Sequence, residues 1–257
     1  MRRRLSFDFH AFVRSTILAG FIALISWMLN TQQLALYINP RFTILTEIAC
    51  FLLFLMLLAQ LVAIIRIGRY TGCDHSTSRQ WEYIPFIFIL LLAFLVPSNT
   101  LNANLVSSKG LNSQLEIVEN SKKDMPRPLA AKLKKDTSIK VTDHTYTEII
   151  SEVQWFPEDY VGKEITVTGF VFKAPGDSSK QFSLVRYVVM CCTADSLPYG
   201  ILCEIKNTQE YTEGTWLTLS GTIAMTKYED KLVPAIKVTA YKKIEQPPNP
   251  YVFPYEE

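Results

Sequence analysis

Three long apolar stretches fill most of the first hundred positions, and nothing comparable follows them. Ser15 to Pro40 carries no charged side chain, and its centre from Thr16 to Leu29 is almost wholly apolar. The run IACFLLFLMLLAQLVAII occupies residues 48–65 without a charge. Tyr83 to Ser108 is uncharged too, centred on IPFIFILLLAFLV. A bilayer core of about 30 Å takes roughly 20 helical residues. The pattern therefore predicts membrane helices at about 12–33, 43–65 and 81–101. Trp81 and Tyr83 would mark the headgroup level, where amphipathic rings are favoured. The start MRRR suits a signal peptide, but NTQQLALYINP offers no small-x-small cleavage site, so the first run reads as a retained helix.

Beyond residue 101 the period changes. Residues 102–144 are polar, mix lysines with acids and contain MPRPLAAKLKKD, which reads as a solvated linker with one short helix. YTEIISEVQWF spaces Ile149, Val153 and Phe156 as one helix face and stops at Pro157. Five strand patterns follow. ITVTGFVFK puts Ile165, Val167 and Val171 on one face. QFSLVRYVVMCC and GILCEIK are the second and third. GTWLTLSGTIAM presents Leu217, Leu219 and Ile223, and LVPAIKVTAYKKI presents Ile236, Val238 and Ala240. Gly169 and Gly221 inside strands ease the bend that a small barrel needs. The expected architecture is an α + β membrane protein, three transmembrane helices (1–101) followed by an extracytoplasmic, five-stranded OB-like β-barrel (145–246) and a Pro-rich tail (247–257). An open sandwich is the alternative for the β-rich part.

Charge orients this plan. Arg2, Arg3, Arg4 and Arg14 precede the first helix, and Arg66, Arg69 and Arg79 lie between the second and third. Only Arg41 lies in the loop between. The positive-inside bias puts the amino terminus in the cytoplasm, and three crossings put the β-rich half outside. Glu47 reads as a helix-end residue reaching headgroup water, and one ionisable group without an inverted repeat makes no transport path. A net charge of +2 argues against a nucleic-acid coat. Tyr187, Tyr199 and Phe172 read as core or rim rather than as base-stacking rings, and Lys132, Lys134 and Lys135 as a wet face.

Five cysteines match no zinc-finger spacing and are too few for a disulfide scaffold. Cys191 and Cys192 end a strand pattern, with Asp195 three residues on. In an alternating register the two would face opposite ways. Neighbouring Cα atoms, 3.8 Å apart, disfavour a bond between them. A cross-strand disulfide to Cys203, a soft-metal site with Asp195, and small residues ending a strand at a turn that Asp195 fixes all remain open. A second cluster, TGCDHSTS, offers Cys73, Asp74 and His75, too few donors to close a zinc site. No Cys-x-x-Cys and no nearby histidine support a thiol enzyme, so no catalytic residue and no certain cofactor are assigned; a divalent or soft metal ion is the one candidate.

Four stretches carry a resemblance: VGKEITVTGFVFK (161–173), FSLVRYVVMCCTADSLPYGILCE (182–204), GTWLTLSGTIA (214–224) and the ending PPNPYVFPY (247–255). They resemble the YcgQ-like family of bacterial membrane proteins. Arg186, Cys192, Ala194, Asp195 and Gly200 match its pattern, whereas Cys191 is not required by it. Some relatives carry a His- and Cys-rich loop between the second and third helices, of which this chain keeps Cys73 and His75. The resemblance implies a multi-pass bacterial cell-membrane protein, the non-catalytic subunit of a two-component permease complex. Its partner would be a larger integral-membrane permease encoded nearby, with the lipid bilayer around both and no nucleic acid. Transport of an ion or small solute is implied, with Cys192, Asp195 and Arg186 as candidate binding or gating residues; Cys73, His75 and Cys191 are candidate metal ligands by residue type alone. The alternative is a membrane-anchored extracytoplasmic sensor of a metal or of envelope stress.

Overall fold

The computed structural model describes residues 9–65, 79–95, 100–111, 127–174, 180–205, 211–228 and 231–254. The chain divides into two compact units, Met1–Asn99 and Thr100–Glu257.

The first unit is helical. α1 (Phe9–Asn30) and α2 (Thr43–Ile65) are long and apolar enough to cross a membrane. Their outer side chains, among them Phe12, Trp27, Phe51, Phe54 and Met56, are exposed in the isolated chain. Such a surface needs lipid or protein cover. Small residues set the packing between the helices: Ser26 Oγ lies 3.7 Å from Cys50 Sγ, and a Cβ added at Gly20 would sit 3.0 Å from Leu90 Cδ1. α1 stops three residues before the expected end, because Gln32 turns the chain at φ 58° into a 3-10 turn.

The third apolar run departs from expectation. It forms α3 (Ile84–Leu95) after a 3-10 turn at Arg79–Tyr83, so Trp81–Leu95 spans about 22 Å at 1.5 Å per residue. The helix does not continue to residue 101: Leu101 belongs to the second unit, where its N–H donates to Tyr251 Oη at 3.0 Å. Residues 96–99 lie outside the described residues. Of the orienting arginines, Arg2, Arg3, Arg4, Arg66 and Arg69 lie outside them as well.

The second unit is β-rich. Its strands are β1 (Ser138–Lys140), β2 (Glu164–Phe172), β3 (Gln181–Val188), β4 (Leu197–Glu204), β5 (Trp216–Tyr228), β6 (Lys231–Lys243) and β7 (Tyr251–Val252). β2 pairs with β5, β5 with β6, β6 with β4 and β4 with β3, and Phe170–Phe172 of β2 pair back onto β3. The five strands read from sequence are all present. Seven occur among the described residues, because β1 adds to β2 and β7 to β3, both in parallel. Neither two nor three residues carry a readable alternation, so both escaped the sequence pattern.

Residues 102–144, read as a solvated linker, in fact carry α4 (Asn104–Lys109), α5 (Ala130–Lys135) and β1, and bury Ala103, Val106, Leu133, Ile139 and Val141. Lys163 Nζ donates to the carbonyls of Leu133, Lys134 and Asp136, which satisfies the carboxy-terminal end of α5. Arg127 Nε donates to Glu152 Oε1 at 2.9 Å and Nη2 to Asp159 Oδ2 at 2.7 Å, while the guanidinium lies over the Phe156 ring. The guanidinium of Arg127, and then the ammonium of Lys134, holds the Asp159 carboxyl below its usual range. The described parts of this stretch, 102–111 and 127–144, thus belong to the β-rich unit, and Lys134 partly serves to hold them there; residues 112–126 lie outside the described residues.

α6 (Tyr146–Trp155) covers the core with Ile149, Ile150 and Val153, against Ile165, Val167, Leu184, Ile201, Leu217, Leu219, Ile223 and Ile236. The opposite face of β2 and β5 is tied by hydroxyl pairs, Thr166–Ser220 at 2.8 Å and Thr168–Thr218 at 2.9 Å. Phe172, Tyr187 and Tyr199 are buried. Ala240 does not face the core as the alternation predicts. The ladder shifts between Ser220 and Gly221, pairing Ser220 with Ala240 but Gly221 with Val238, and the extra residue exposes Ala240. At Gly169 an added Cβ would stand 2.7 Å from Val185 O, so β2 and β3 approach where only glycine fits.

Tyr146, Tyr160, Tyr187 and Cys203 are all buried, and burial pushes each of their pKa values up. The unfolded chain releases these protons at their ordinary values, near pH 8.5 for the thiol and about 10 for the phenols. Above those values the folded state binds more protons than the unfolded one, so stability falls as pH rises, by up to about 1.4 kcal/mol per pH unit for each group. Alkaline unfolding of the β domain is expected to be cooperative above about pH 10. Tyrosinate absorbance and near-ultraviolet circular dichroism should change together; gradual ionisation with the dichroism intact would contradict the burial.

Candidate functional site

The turn between β3 and β4 gathers three of the sequence candidates. β3 ends at Val188, so Cys191 and Cys192 are not strand residues on opposite faces. Asp195 draws both out of the ladder: its Oδ2 accepts from the Cys191 N–H at 3.1 Å and its Oδ1 from the Cys192 N–H at 3.3 Å. A 3-10 turn, Thr193–Asp195, begins at Cys192, whose side chain accepts from the Asp195 N–H in a reciprocal capping box. Both thiols therefore end on the carboxylate side. Cys191 Sγ donates to Asp195 Oδ2 at 2.7 Å and lies 3.8 Å from Cys192 Sγ. Among the described residues, these three side chains bring their donor atoms within 4.8 Å of one another.

The electrostatics follow from that geometry. Hydrogen bonding to the Asp195 carboxylate, then to Cys192, pushes the Cys191 thiol up to about 11. Partial burial works against the Asp195 carboxylate, but bonds from the Cys191 thiol and from the amides of Cys191, Cys192 and Met190 outweigh it and hold the carboxyl below its usual range. At neutral pH the Cys191 thiol is protonated and faces a carboxylate. Nucleophilic attack and metal ligation both need the thiolate, so either must first displace that proton.

Cys203 does not join the cluster. It sits opposite Phe182 in the β3–β4 ladder, fully buried, about 20 Å of strand from the Val188 end. Cys50, Cys191, Cys192 and Cys203 are all free thiols, so the cross-strand disulfide is not formed. Cys73 and His75 lie outside the described residues.

Arg186 belongs to a different constellation. Its side chain is buried, 1% exposed. Nη2 donates to the carbonyls of Asn249 and Tyr251, both at 3.1 Å, and Nε to that of Pro250 at 3.4 Å. Nη1 pairs with Asp143, and the rings of Tyr146 and Trp216 flank the guanidinium. These bonds hold the carboxy-terminal segment, whose Tyr251, Val252 and Phe253 are buried, against β3. The ending PPNPYVFP, residues 247–254, is a structural strap, and Arg186 is its anchor.

Sequence reasoning missed Lys109. From the end of α4 its Nζ donates to Ala194 O at 3.1 Å, Ser196 O at 2.6 Å and Ser196 Oγ at 3.1 Å. The ammonium thus clasps the peptide on both sides of Asp195, and Ser196 is completely buried. No local signal links residues so far apart in the chain.

The same segments align with known proteins. Residues 13–112 match the DUF1980 N-terminal domain and residues 117–254 the DUF1980 C-terminal domain. A "Putative two-component membrane permease complex subunit" of Streptococcus mutans is 26% identical over 270 residues, covering 94% of this chain and 98% of the relative. "UPF0703 protein YcgQ" of Bacillus subtilis is 24% identical over 280 residues, covering 93% and 98%. The N-terminal domain of PriB from Thermoanaerobacter tencongensis overlaps 32% of the chain and 96% of its own at 16% identity and a TM-score of 0.22, too low to carry an argument. Two consecutive domain matches and near full-length relatives lead to one conclusion: the chain belongs to the DUF1980 family and is a YcgQ-like membrane protein.

Proposed function

We propose that this chain is the non-catalytic small subunit of a two-component membrane permease complex that moves an ion or small solute. The supporting observation is the nearly end-to-end match to a relative of that name, joined to apolar helices whose side chains lack cover in the isolated chain. In this reading the helices dock in lipid against a larger permease that supplies the pathway. The third apolar run completes a multi-pass topology with the amino terminus inside. The β unit, an OB-like barrel closed by the β2–β3 pairing, stands outside the cytoplasm and caps or gates the partner.

The expected result is co-purification, in mild detergent, of the tagged full-length chain with the product of the adjacent permease gene, and loss of that permease's flux when the chain is deleted. A chain that elutes alone and is dispensable for flux overturns the reading. Protease added to intact protoplasts should digest the β unit, and protection of it would reverse the topology. A membrane-anchored metal sensor is the second reading, favoured by the exposed thiol–carboxylate turn; it predicts no stoichiometric permease partner.

A further inference from the structure

We infer that Cys191, Cys192 and Asp195 form an open binding site for a thiophilic divalent cation, with Zn²⁺ as the reference ion. Two thiolates on a tetrahedral zinc at about 2.3 Å stand about 3.8 Å apart. The Cys191–Cys192 sulfur separation is 3.8 Å before any ion binds. A zinc-bound carboxylate oxygen lies about 3.5 Å from each sulfur, given Zn–O of about 2.0–2.2 Å. The present 2.7 Å contact between Cys191 Sγ and Asp195 Oδ2 is a shared proton. Replacing that proton with a cation requires the pair to open by under about 1 Å, a side-chain rotation.

The rest of the turn is already fixed. Backbone amides of Cys191 and Cys192 hold the carboxylate, the Asp195 amide holds the Cys192 sulfur, and Lys109 with buried Ser196 pins both flanks. Binding releases two thiol protons to solvent and moves no electrons. Two thiolates and a carboxylate around a divalent ion leave one net negative charge, and the Lys109 ammonium on the adjoining peptides offsets it. Two sulfurs and one oxygen select against Mg²⁺ and Ca²⁺, which take oxygen donors. Three protein donors leave a fourth position open, as in sites that exchange a ligand rather than in closed structural ones. Cys191 is exposed and Cys192 half-buried, so an ion enters without unfolding.

As a statement about the ion handled, this rests on the permease-subunit reading. As a binding site it stands on the purified chain, so failure of either is recognisable without the other. The test uses the full chain in detergent with reductant, in a Cys73→Ser, His75→Ala background that silences the other donors. Titration with Zn²⁺ should give one ion per chain. Cys191→Ser and Cys192→Ser should each weaken binding by about 100-fold or more, and Lys109→Ala, acting only through the turn, by about tenfold. Zn²⁺, but not Mg²⁺, should protect Cys191 and Cys192 from alkylation in the unsubstituted chain, read by mass spectrometry. Unchanged binding in the double serine variant overturns the site. If that variant misfolds, equal alkylation of both thiols with and without Zn²⁺ overturns it instead.

Discussion

Arg186→Ala is expected to destabilise the β unit by about 3–5 kcal/mol, the range for removing one partner of a buried charged network. Three backbone carbonyls, of Asn249, Pro250 and Tyr251, lose their donors, those of Pro250 and Tyr251 at buried positions. Asp143 adds little to the loss, because its side chain is 58% exposed and water replaces the guanidinium there. Arg186→Lys should recover little, since one ammonium cannot reach acceptors spread across a planar fork. The strap is the other half of the same interaction. Deleting residues 249–257 should cost a comparable amount, and combining the deletion with Arg186→Ala should cost far less than the sum. Thermal unfolding of the purified chain reads this: a fall of about 10 °C for each single change is expected for a unit of this size. Additive losses would mean that Arg186 acts elsewhere, on a bound ligand for instance.

Gly221→Ala should also cost about 3 kcal/mol or more, well above the usual effect of adding one methyl group. A Cβ at Gly221 would stand 2.3 Å from Lys237 O and 2.7 Å from Ile236 Cγ2. Both neighbours are fixed, one as backbone in the β5–β6 ladder and the other as a fully buried core side chain. β5 and β6 must part at the bulge, which loosens the longest pairing in the sheet. Gly162→Ala is the control. Its φ of +89° strains any other residue, but no atom lies within 4 Å of an added Cβ, so about 1–2 kcal/mol is expected. Equal effects at the two positions, measured by denaturant unfolding, would show that backbone conformation rather than strand approach sets the cost.

The local patterns were legible wherever one period ran long enough. α2, Thr43–Ile65, has the bounds expected from the sequence and ends with the uncharged run at Ile65, because an unbroken apolar run has no competing period. The five longer strands and the inward set Ile165, Val167, Leu217, Leu219 and Ile223 follow from alternation. Asp195 as the turn's hydrogen-bond acceptor was within reach for the same reason: a short carboxylate captures amides a few residues away. Where the determinant was distant, local reading failed. Nothing local marks Arg186 as the anchor of the strap, because the carbonyls it serves lie more than sixty positions further along.

The amino-acid sequence by itself determined that half of this protein is made for lipid and half for a β core, since hydropathy and side-chain alternation are local properties of the chain. Tertiary structure alone decided that the polar connector and the proline-rich ending are parts of the β domain. It also decided that two thiols and a carboxylate share one side of a turn, and that Lys109 holds that turn. Each of these depends on which distant backbone groups arrive within about 3 Å of a given side chain. A hydrogen bond is set by position in space, and neither spacing nor composition encodes that directly.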